Sequence, residues 1–182
     1  MGKSIGLIEL KSIPAGVQTA DEMLKAANVE LLVATAICPG KYIILICGQV
    51  GAVKSSMERG RQVAGTYLIC HHTINNVHDS VPGALMGTVE VEKITAIGMV
   101  ETMSALTIVR AADIAAKASN VTLMDVRVAR GLGGKGFLTL TGEVSAVRSA
   151  VSNCLTQLAD TGDITSTCVI PSPHKGLLEK LN

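Results

Sequence analysis

The chain has 182 residues, of which 48% are hydrophobic and 17% are charged, and its formal net charge at pH 7 is +1. One Phe, two Tyr and no Trp on a nearly neutral chain argue against nucleic-acid binding, which favours a basic surface and stacking rings. No apolar run reaches the roughly 18 residues of a membrane span, and Met1-Gly2-Lys3 leads into a strand rather than a signal peptide, so we expect a cytosolic protein with no membrane partner.

In the first half of the chain, strand patterns and helix patterns alternate. The first helix is indicated by Val17, Ala20 and Leu24, which recur at a spacing of three or four residues. The strands are short runs rich in Ile, Leu and Val. In chain order we predict a strand over 4–10, a helix over 15–27, strands over 29–37 and 41–48, a helix marked by Val50, Val53 and Met57, and a strand over 68–74.

The two middle strands of this half are joined by Cys38-Pro39-Gly40. Pro followed by Gly is typical of a type II turn, because Pro presets φ and Gly accepts a positive φ. We therefore predict a hairpin with Cys38 at its tip.

The second half repeats this order. Ile5-Gly6-Leu7-Ile8-Glu9 returns 92 residues later as Ile97-Gly98-Met99-Val100-Glu101. Past Gly40 the offset becomes 94, and near the ends it drifts to 96. The elements predicted for the second copy are a strand over 97–101, a helix with Ile108, Ala111, Ala112 and Ala115, strands over 121–129 and 137–141, a helix with Val144, Val147, Val151, Leu155 and Leu158, and a strand over 166–170.

A repeat of about ninety residues is the size of a whole domain. We therefore predict two domains, residues 1–90 and residues 91–182. Each has the order strand, helix, hairpin, helix, strand, which favours an α+β sandwich with helices on one face of a largely antiparallel sheet. The low share of charged residues indicates that part of the surface is buried against other copies of the chain.

The two copies differ at the hairpin. Opposite the cysteine turn, the second copy has the longer loop Arg130-Gly131-Leu132-Gly133-Gly134-Lys135-Gly136. The loop lacks the Walker spacing and the Ser or Thr that follows the Walker lysine, so we predict a flexible rim loop rather than a phosphate-binding loop.

Four sequence motifs resemble the bacterial microcompartment (BMC) shell domain. They are Ile-Gly-x-x-Glu-x-x-Ser in the first strand, Asp-x-x-x-Lys-Ala-Ala/Ser-Asn-Val in and after the first helix, Gly-x-Val-x-Ala-Val before the second helix, and Ile-Pro-x-Pro-His at 170–174. The resemblance covers almost the whole chain and implies two tandem unpermuted BMC domains, each a ferredoxin-like-related α/β sandwich. Within the family, Ile37-Cys38-Pro39-Gly40-Lys41 is similar to the tandem-domain, T-type shell proteins of propanediol-utilisation compartments.

This resemblance implies a structural, non-enzymatic protein of a microcompartment shell in the cytoplasm. Three chains would form a homotrimer with six wedges, a pseudohexamer, that packs beside other shell proteins. Cys38 of each chain would ligate one [4Fe-4S] cluster per trimer, for electron transfer across the shell to a luminal or cytosolic redox partner. Lys25 and Lys117 match the lysine at the interface between neighbouring tiles. The expected pore-lining residues are Ile37, Cys38, Pro39, Gly40, Arg130, Gly131, Leu132 and Gly133.

Other interpretations stay open. Three Cys38 thiolates could hold zinc, or Cys38 could line a pore without any ligand and admit small polar metabolites. A free-standing ligand-binding or regulatory α+β trimer is a third alternative. Lys25 and Lys117 could be solvated helix lysines, and Asp21 and Asp113 could pair with nearby bases or cap local structure.

The other cysteines are expected to be structural. Five cysteines without a regular framework indicate free thiols or metal ligands rather than disulfides. Cys47, Cys154 and Cys168 fall within predicted elements and are expected to pack in the core.

Three further expectations concern the histidines and the carboxylates. Cys70 beside His71 and His72 could bind a metal, but no second cluster at zinc-finger spacing accompanies them. His78 and His174 occupy matching places, which indicates a structural role repeated in both domains. No carboxylate pair and no nucleophile with a neighbouring base points to catalysis.

Overall fold

The fold was analysed in a computed structural model that describes residues 3–91, 93–128 and 133–181. The first half contains β1 (Lys3–Leu10), α1 (Ile13–Ala26), β2 (Glu30–Ile37), β3 (Lys41–Gln49), α2 (Val50–Ala64), β4 (Leu68–Ile74) and α3 (Ser80–Met86). The second half contains β5 (Ala96–Thr102), α4 (Ala105–Ala118), β6 (Thr122–Val128), β7 (Gly136–Gly142), α5 (Val144–Gln157), β8 (Ile164–Ile170) and α6 (Lys175–Leu181).

The chain divides into two compact units. The first unit runs as far as Pro82 and also takes in Gly133 and Gly134. The second unit begins at Gly83, reaches Val128 and resumes at Lys135.

Each unit is built on one antiparallel four-stranded sheet. The strand order is β2-β3-β1-β4 in the first unit and β6-β7-β5-β8 in the second. The register repeats as well, because Ile5 lies opposite Ile74 and Ile97 lies opposite Ile170. The predicted α+β sandwich with a largely antiparallel sheet is confirmed in both halves.

The core of the first unit lies between its sheet and its two long helices. β1 and β3 are buried along nearly their whole length, since both are central strands. Burial of large aliphatic side chains at these positions contributes roughly 1.5–3 kcal/mol each. The cluster that joins sheet and helices contains Ile8, Leu10, Ala20, Met23, Tyr42, Ile44, Ile46, Val53, Met57 and Ala64.

The first helix of each unit starts at a serine cap. The Ser12 hydroxyl accepts a hydrogen bond from the backbone N–H of Ala15 at 3.4 Å. The Ser104 hydroxyl accepts from Leu106 and Thr107 at 3.2 and 3.4 Å. These caps occupy equivalent places in the repeat and satisfy N–H groups that have no partner inside the helix.

The structure departs from the predicted elements at three places. α1 begins at Ile13 rather than at residue 15, since Ser12 caps it, and α2 continues to Ala64, beyond the last marked residue Met57. The helices α3 and α6 were not predicted, because seven residues give too little periodicity to detect.

Candidate functional site

Cys38 lies where the sequence predicts it, at the tip of the hairpin between β2 and β3. Ile37 pairs with Lys41 as the last rung of the ladder, which leaves Cys38, Pro39 and Gly40 as the turn. Gly40 has a φ of 75°, a positive value that glycine accepts without strain. The Cys38–Pro39 peptide bond is cis. The Cys38 thiol is exposed and free, so it is available to an external ligand.

An ion pair between a buried glutamate and a partly exposed lysine lies at the base of this hairpin. Lys41 Nζ lies 2.6 Å from Glu9 Oε1, and the Glu9 side chain is only 7% exposed. The second carboxylate oxygen accepts from the Cys70 thiol at 3.5 Å. Glu9 on β1 thus connects the start of β3 to the edge strand β4, and it fixes the position from which the cysteine turn projects.

The second unit repeats this arrangement. Lys135 Nζ lies 3.0 Å from Glu101 Oε1, and the Thr165 hydroxyl donates to the same oxygen at 2.6 Å. The hydrogen bond from Thr165, followed by the one from Lys135, lowers the pKa of Glu101 below its ordinary value. Sequence reasoning did not identify these pairs, although glutamate and lysine each recur at the repeat offsets.

The expected pore-lining residues fall into three groups. Cys38, Pro39, Gly40 and Gly133 are exposed, whereas Ile37 is only 5% exposed in the single chain. Arg130, Gly131 and Leu132 lie outside the described residues.

Gly134 approaches the cysteine turn, and both belong to the first compact unit. A Cβ atom at Gly134 would lie 3.0 Å from the backbone oxygen of Cys38, and Gly134 has a φ of 92°. Both facts favour glycine at this position, because any side chain would crowd the turn and strain the backbone.

The two lysines expected at tile edges form ion pairs within their own helices. Lys25 is paired with Asp21, and Lys117 Nζ lies 2.6 Å from Asp113 Oδ2. The hydrogen bond and the charge of Asp21 raise the pKa of Lys25. The expectation that the two aspartates pair with nearby bases is confirmed, whereas the role of Lys25 and Lys117 at a tile interface stays a prediction.

The cysteine expectations are confirmed for two residues and wrong for one. Cys47 and Cys154 are buried, and burial raises the pKa of both thiols, that of Cys154 to about 12. Cys168 is exposed. The prediction failed because β8 is an edge strand, so a position within a strand does not ensure burial.

His78 and His174 perform the same structural task, as the repeat predicts. His78 Nδ1 accepts a hydrogen bond from the backbone N–H of Ser80 at 3.3 Å. His174 Nδ1 accepts from the N–H of Gly176 at 3.1 Å. Each ring therefore caps the short helix that follows it, α3 or α6.

The described residues lack both a metal-binding cluster and a membrane-spanning helix. Among residues 3–91, 93–128 and 133–181, no group of three or more His, Cys, Asp or Glu side chains is placed to hold a metal ion. Cys70, His71 and His72 therefore form no such group with other described residues. In the same part of the chain, no helix is long and apolar enough to cross a bilayer.

The chain belongs to the family of BMC-domain proteins. The BMC domain model matches residues 4–77 and 96–173, which together cover most of both units. The predicted resemblance to tandem BMC domains is therefore confirmed.

Its relatives are microcompartment shell proteins. The chain is 41% identical to the bacterial microcompartment shell protein PduT of Citrobacter freundii, over 100% of this chain and 98% of that protein. It is 29% identical to the carboxysome assembly protein CcmO of Synechococcus elongatus, over 98% of this chain and 68% of that one. The crystal structure of a microcompartment protein from Desulfitobacterium hafniense superposes with a TM-score of 0.96 at 43% identity, and covers 98% of this chain and 99% of that chain.

Proposed function

We propose that the chain is a non-enzymatic tile of a microcompartment shell, and that three copies hold a [4Fe-4S] cluster through Cys38. The observation that carries the proposal is the exposed Cys38 thiol at the tip of a hairpin whose base is fixed by the ion pair between Lys41 and the buried Glu9. The strong similarity to shell proteins along the whole chain supports the role as a tile.

The donor chemistry at the tip fits a cluster. Thiolate is the normal protein ligand of iron–sulfur clusters, and Cys38 is exposed rather than packed in a core. One chain contributes one thiol at this tip, so the site is complete only when equivalent tips converge. A threefold axis would supply three thiolates, which leaves one cluster iron for water or an outside ligand.

The first helices differ between the units in a way that supports assembly. Ile13, Val17 and Leu24 on α1 are 42%, 53% and 38% exposed, and they lie on one face of the helix. The equivalent residues of α4 are Ala105, Val109 and Ala116, which are at most 8% exposed. The apolar face of α1 is therefore a surface that a second copy of the chain would cover, as homotrimer formation requires.

The proposed role of the site is electron transfer across the shell. A bound [4Fe-4S] cluster would supply one-electron transfer between a luminal and a cytosolic redox partner. The chain's own contribution is to place the thiol: the ladder ends at Ile37, the cysteine turn projects beyond it, and Lys41 is fixed by Glu9. A pore that passes small polar metabolites without a cluster is the alternative function.

Anaerobic purification tests the proposal. We expect brown protein with about four iron and four sulfide per three chains, because one cluster would occupy each trimer. Cys38→Ser should lose the iron and the visible absorption. Cys168→Ser removes another exposed thiol and is the matched control. This variant should keep both the iron and the visible absorption. A colourless, iron-free anaerobic preparation would exclude the cluster and favour the metabolite pore, and zinc in its place would indicate the other metal.

A further inference from the structure

The first unit contains a cleft that neither the shell motifs nor the cysteine turn accounts for. It lies between α2 and β4 and has a volume of about 480 Å³. Met57, which is only 4% exposed, and Val50 give it an apolar wall. The other lining residues are Lys54, Glu58 and Arg61 from α2, His71 and Thr73 from β4, and Asn75 from the turn after β4.

The cleft is lined by more cationic side chains than acidic ones. Lys54 and Arg61 face a single carboxylate, that of Glu58, and neither forms an ion pair within 4.0 Å with a carboxylate of the described residues. Burial, together with the nearby Arg61 guanidinium, lowers the pKa of His71 below its ordinary value. Three nitrogen-bearing side chains therefore surround one half-enclosed space without a matching set of anions.

The end of β4 and the turn that follows it add neutral hydrogen-bond donors to the cleft. Asn75 Oδ1 accepts a hydrogen bond from the Ser4 hydroxyl at 3.0 Å, which orients the amide and leaves its two N–H groups for another partner. Thr73, on β4 two residues earlier, adds a hydroxyl to the cleft. An arginine, a lysine, a histidine, an amide and a hydroxyl are groups that hydrogen-bond the oxygens of a phosphate.

The second unit provides an internal comparison. At the repeat-equivalent positions, Arg61 is replaced by Leu155, His71 by Thr167 and Asn75 by Pro171. Only the lysine position keeps a cation, as Arg148. The fold of α2 against β4 therefore does not require these polar groups, because the same elements are built without them in α5 and β8.

We propose that this cleft of the first unit binds a small phosphate ester, with the phosphate between Arg61, Lys54 and His71 and its organic part against Met57 and Val50. The proposal does not depend on a cluster at Cys38, since the two sites share no residue.

The test uses the full-length protein with inorganic phosphate and phenyl phosphate as probes, at constant ionic strength. We expect the imidazole proton signals of His71 to shift with saturation, and the pKa of His71 to rise, because a bound anion favours the protonated ring. Phenyl phosphate should bind more tightly than inorganic phosphate, since its ring can cover Met57. His78, outside the cleft, is the internal reference.

Two substitutions decide whether the cleft is the site. Arg61→Leu introduces the residue of the second unit and should weaken phenyl phosphate binding roughly tenfold or more, because a charge-assisted hydrogen bond is lost. Arg148→Leu is the matched control in the second unit and should have no such effect. His71→Thr is a second variant of the cleft and should also weaken binding.

The proposal is overturned if neither probe shifts His71 more than His78. It is also overturned if Arg148→Leu weakens binding as much as Arg61→Leu, since binding would then follow net charge alone. Retained phosphate binding in iron-free Cys38→Ser would separate this site from the proposed cluster site.

Discussion

At the scale of single residues, the environment of each thiol decides what it can do. Cys38 and Cys168 are exposed, whereas Cys47 and Cys154 are buried. The thiolate is the reactive form of cysteine. A buried thiol with a raised pKa therefore reacts slowly, because little of it is ionised and because reagents cannot reach it. The cysteine that the sequence singles out is therefore also one of the two exposed ones, whereas Cys70 is half-buried.

We expect thiol alkylation of the metal-free protein to follow this division. The pKa of Cys154 of about 12 leaves on the order of one thiol in ten thousand ionised at pH 8. Cys38 and Cys168 should therefore be labelled first, and Cys47 and Cys154 only on unfolding, as followed by peptide mass spectrometry over time. Labelling of Cys154 at the rate of Cys168 under native conditions would contradict the buried assignment.

Sequence reasoning placed Cys38 correctly because its neighbours are local signals. Pro39 and Gly40 define the turn, and the apolar runs on both sides define the strands. It misplaced Cys168, since exposure on β8 depends on which strand lies at the edge of the sheet. The pairing of strands is a property of distant segments and is not written into the residues next to Cys168.

At the scale of elements, the two units fill the same contact between helix and strand in opposite ways. One unit has the large side chain on the strand, and the other has it on the helix. In the first unit a Cβ atom on Gly16 of α1 would lie 2.4–2.6 Å from three atoms of Tyr42 on β3. In the second unit the roles are reversed, because a Cβ on Gly136 of β7 would lie 2.5 Å from Ile108 of α4. Gly16 is equivalent to Ile108, and Tyr42 is equivalent to Gly136. In each unit, therefore, one of the two contacting residues is large and the other is a glycine.

This contact predicts that substitutions at positions 16 and 42 have non-additive effects on the free energy of unfolding. Gly16→Ala should lower the free energy of unfolding by roughly 1–3 kcal/mol through overpacking against Tyr42. Tyr42→Gly should cost roughly 3–5 kcal/mol, because it opens a cavity. The double variant Gly16→Ile/Tyr42→Gly copies the second unit and should lose less than the sum of Gly16→Ile and Tyr42→Gly.

Denaturant unfolding followed by circular dichroism, at equal protein concentration, measures these effects. Gly51→Ala is the control, since a Cβ atom at Gly51 of α2 would meet nothing within 4 Å. It should be neutral or slightly stabilising, because Ala favours helix more than Gly does. Additive losses in the double variant would show that the two positions are not coupled.

The long helices were predictable and the short ones were not. α1 and α5 have enough turns for their apolar residues to recur, so the predicted ranges agree with the structure to within a few residues. The seven-residue helices α3 and α6 begin at the rings of His78 and His174, which accept backbone N–H groups. The repeat indicated that these histidines are structural, but the kind of contact became visible only in the fold.

At the scale of the whole molecule, the exposed apolar face of α1 points to assembly. The residues on the adjacent face, Gly16, Thr19, Ala20 and Met23, are buried in the first unit. The helix is therefore apolar on two sides, although its own unit covers only one.

We expect Val17→Glu to prevent trimer formation, because a carboxylate on this face could not be desolvated without a partner. Light scattering should then give the mass of one chain, 18.9 kDa, in place of three times that value. Gln18→Glu places the same charge on the neighbouring exposed residue, off the apolar face, and should leave the trimer intact. A trimer that survives Val17→Glu with unchanged mass would exclude this face as the interface.

The sequence by itself determined the repeat, the order of the long elements, the position of Cys38 in a tight turn and the membership of the BMC family. These properties depend on local patterns, in which a residue's neighbours along the chain carry the signal. The domain boundary between residues 90 and 91, the homotrimer and the cluster remain predictions.

Only the tertiary structure decided which side chains meet. The Glu9–Lys41 pair at the base of the hairpin joins residues 32 positions apart, and the cleft of Arg61 and His71 forms because β4 lies beside α2. Both depend on the register and order of strands, which are set by the packing of the whole core rather than by any local pattern. The cysteine turn could therefore be found from the sequence, whereas the ion pair that holds it in place could not.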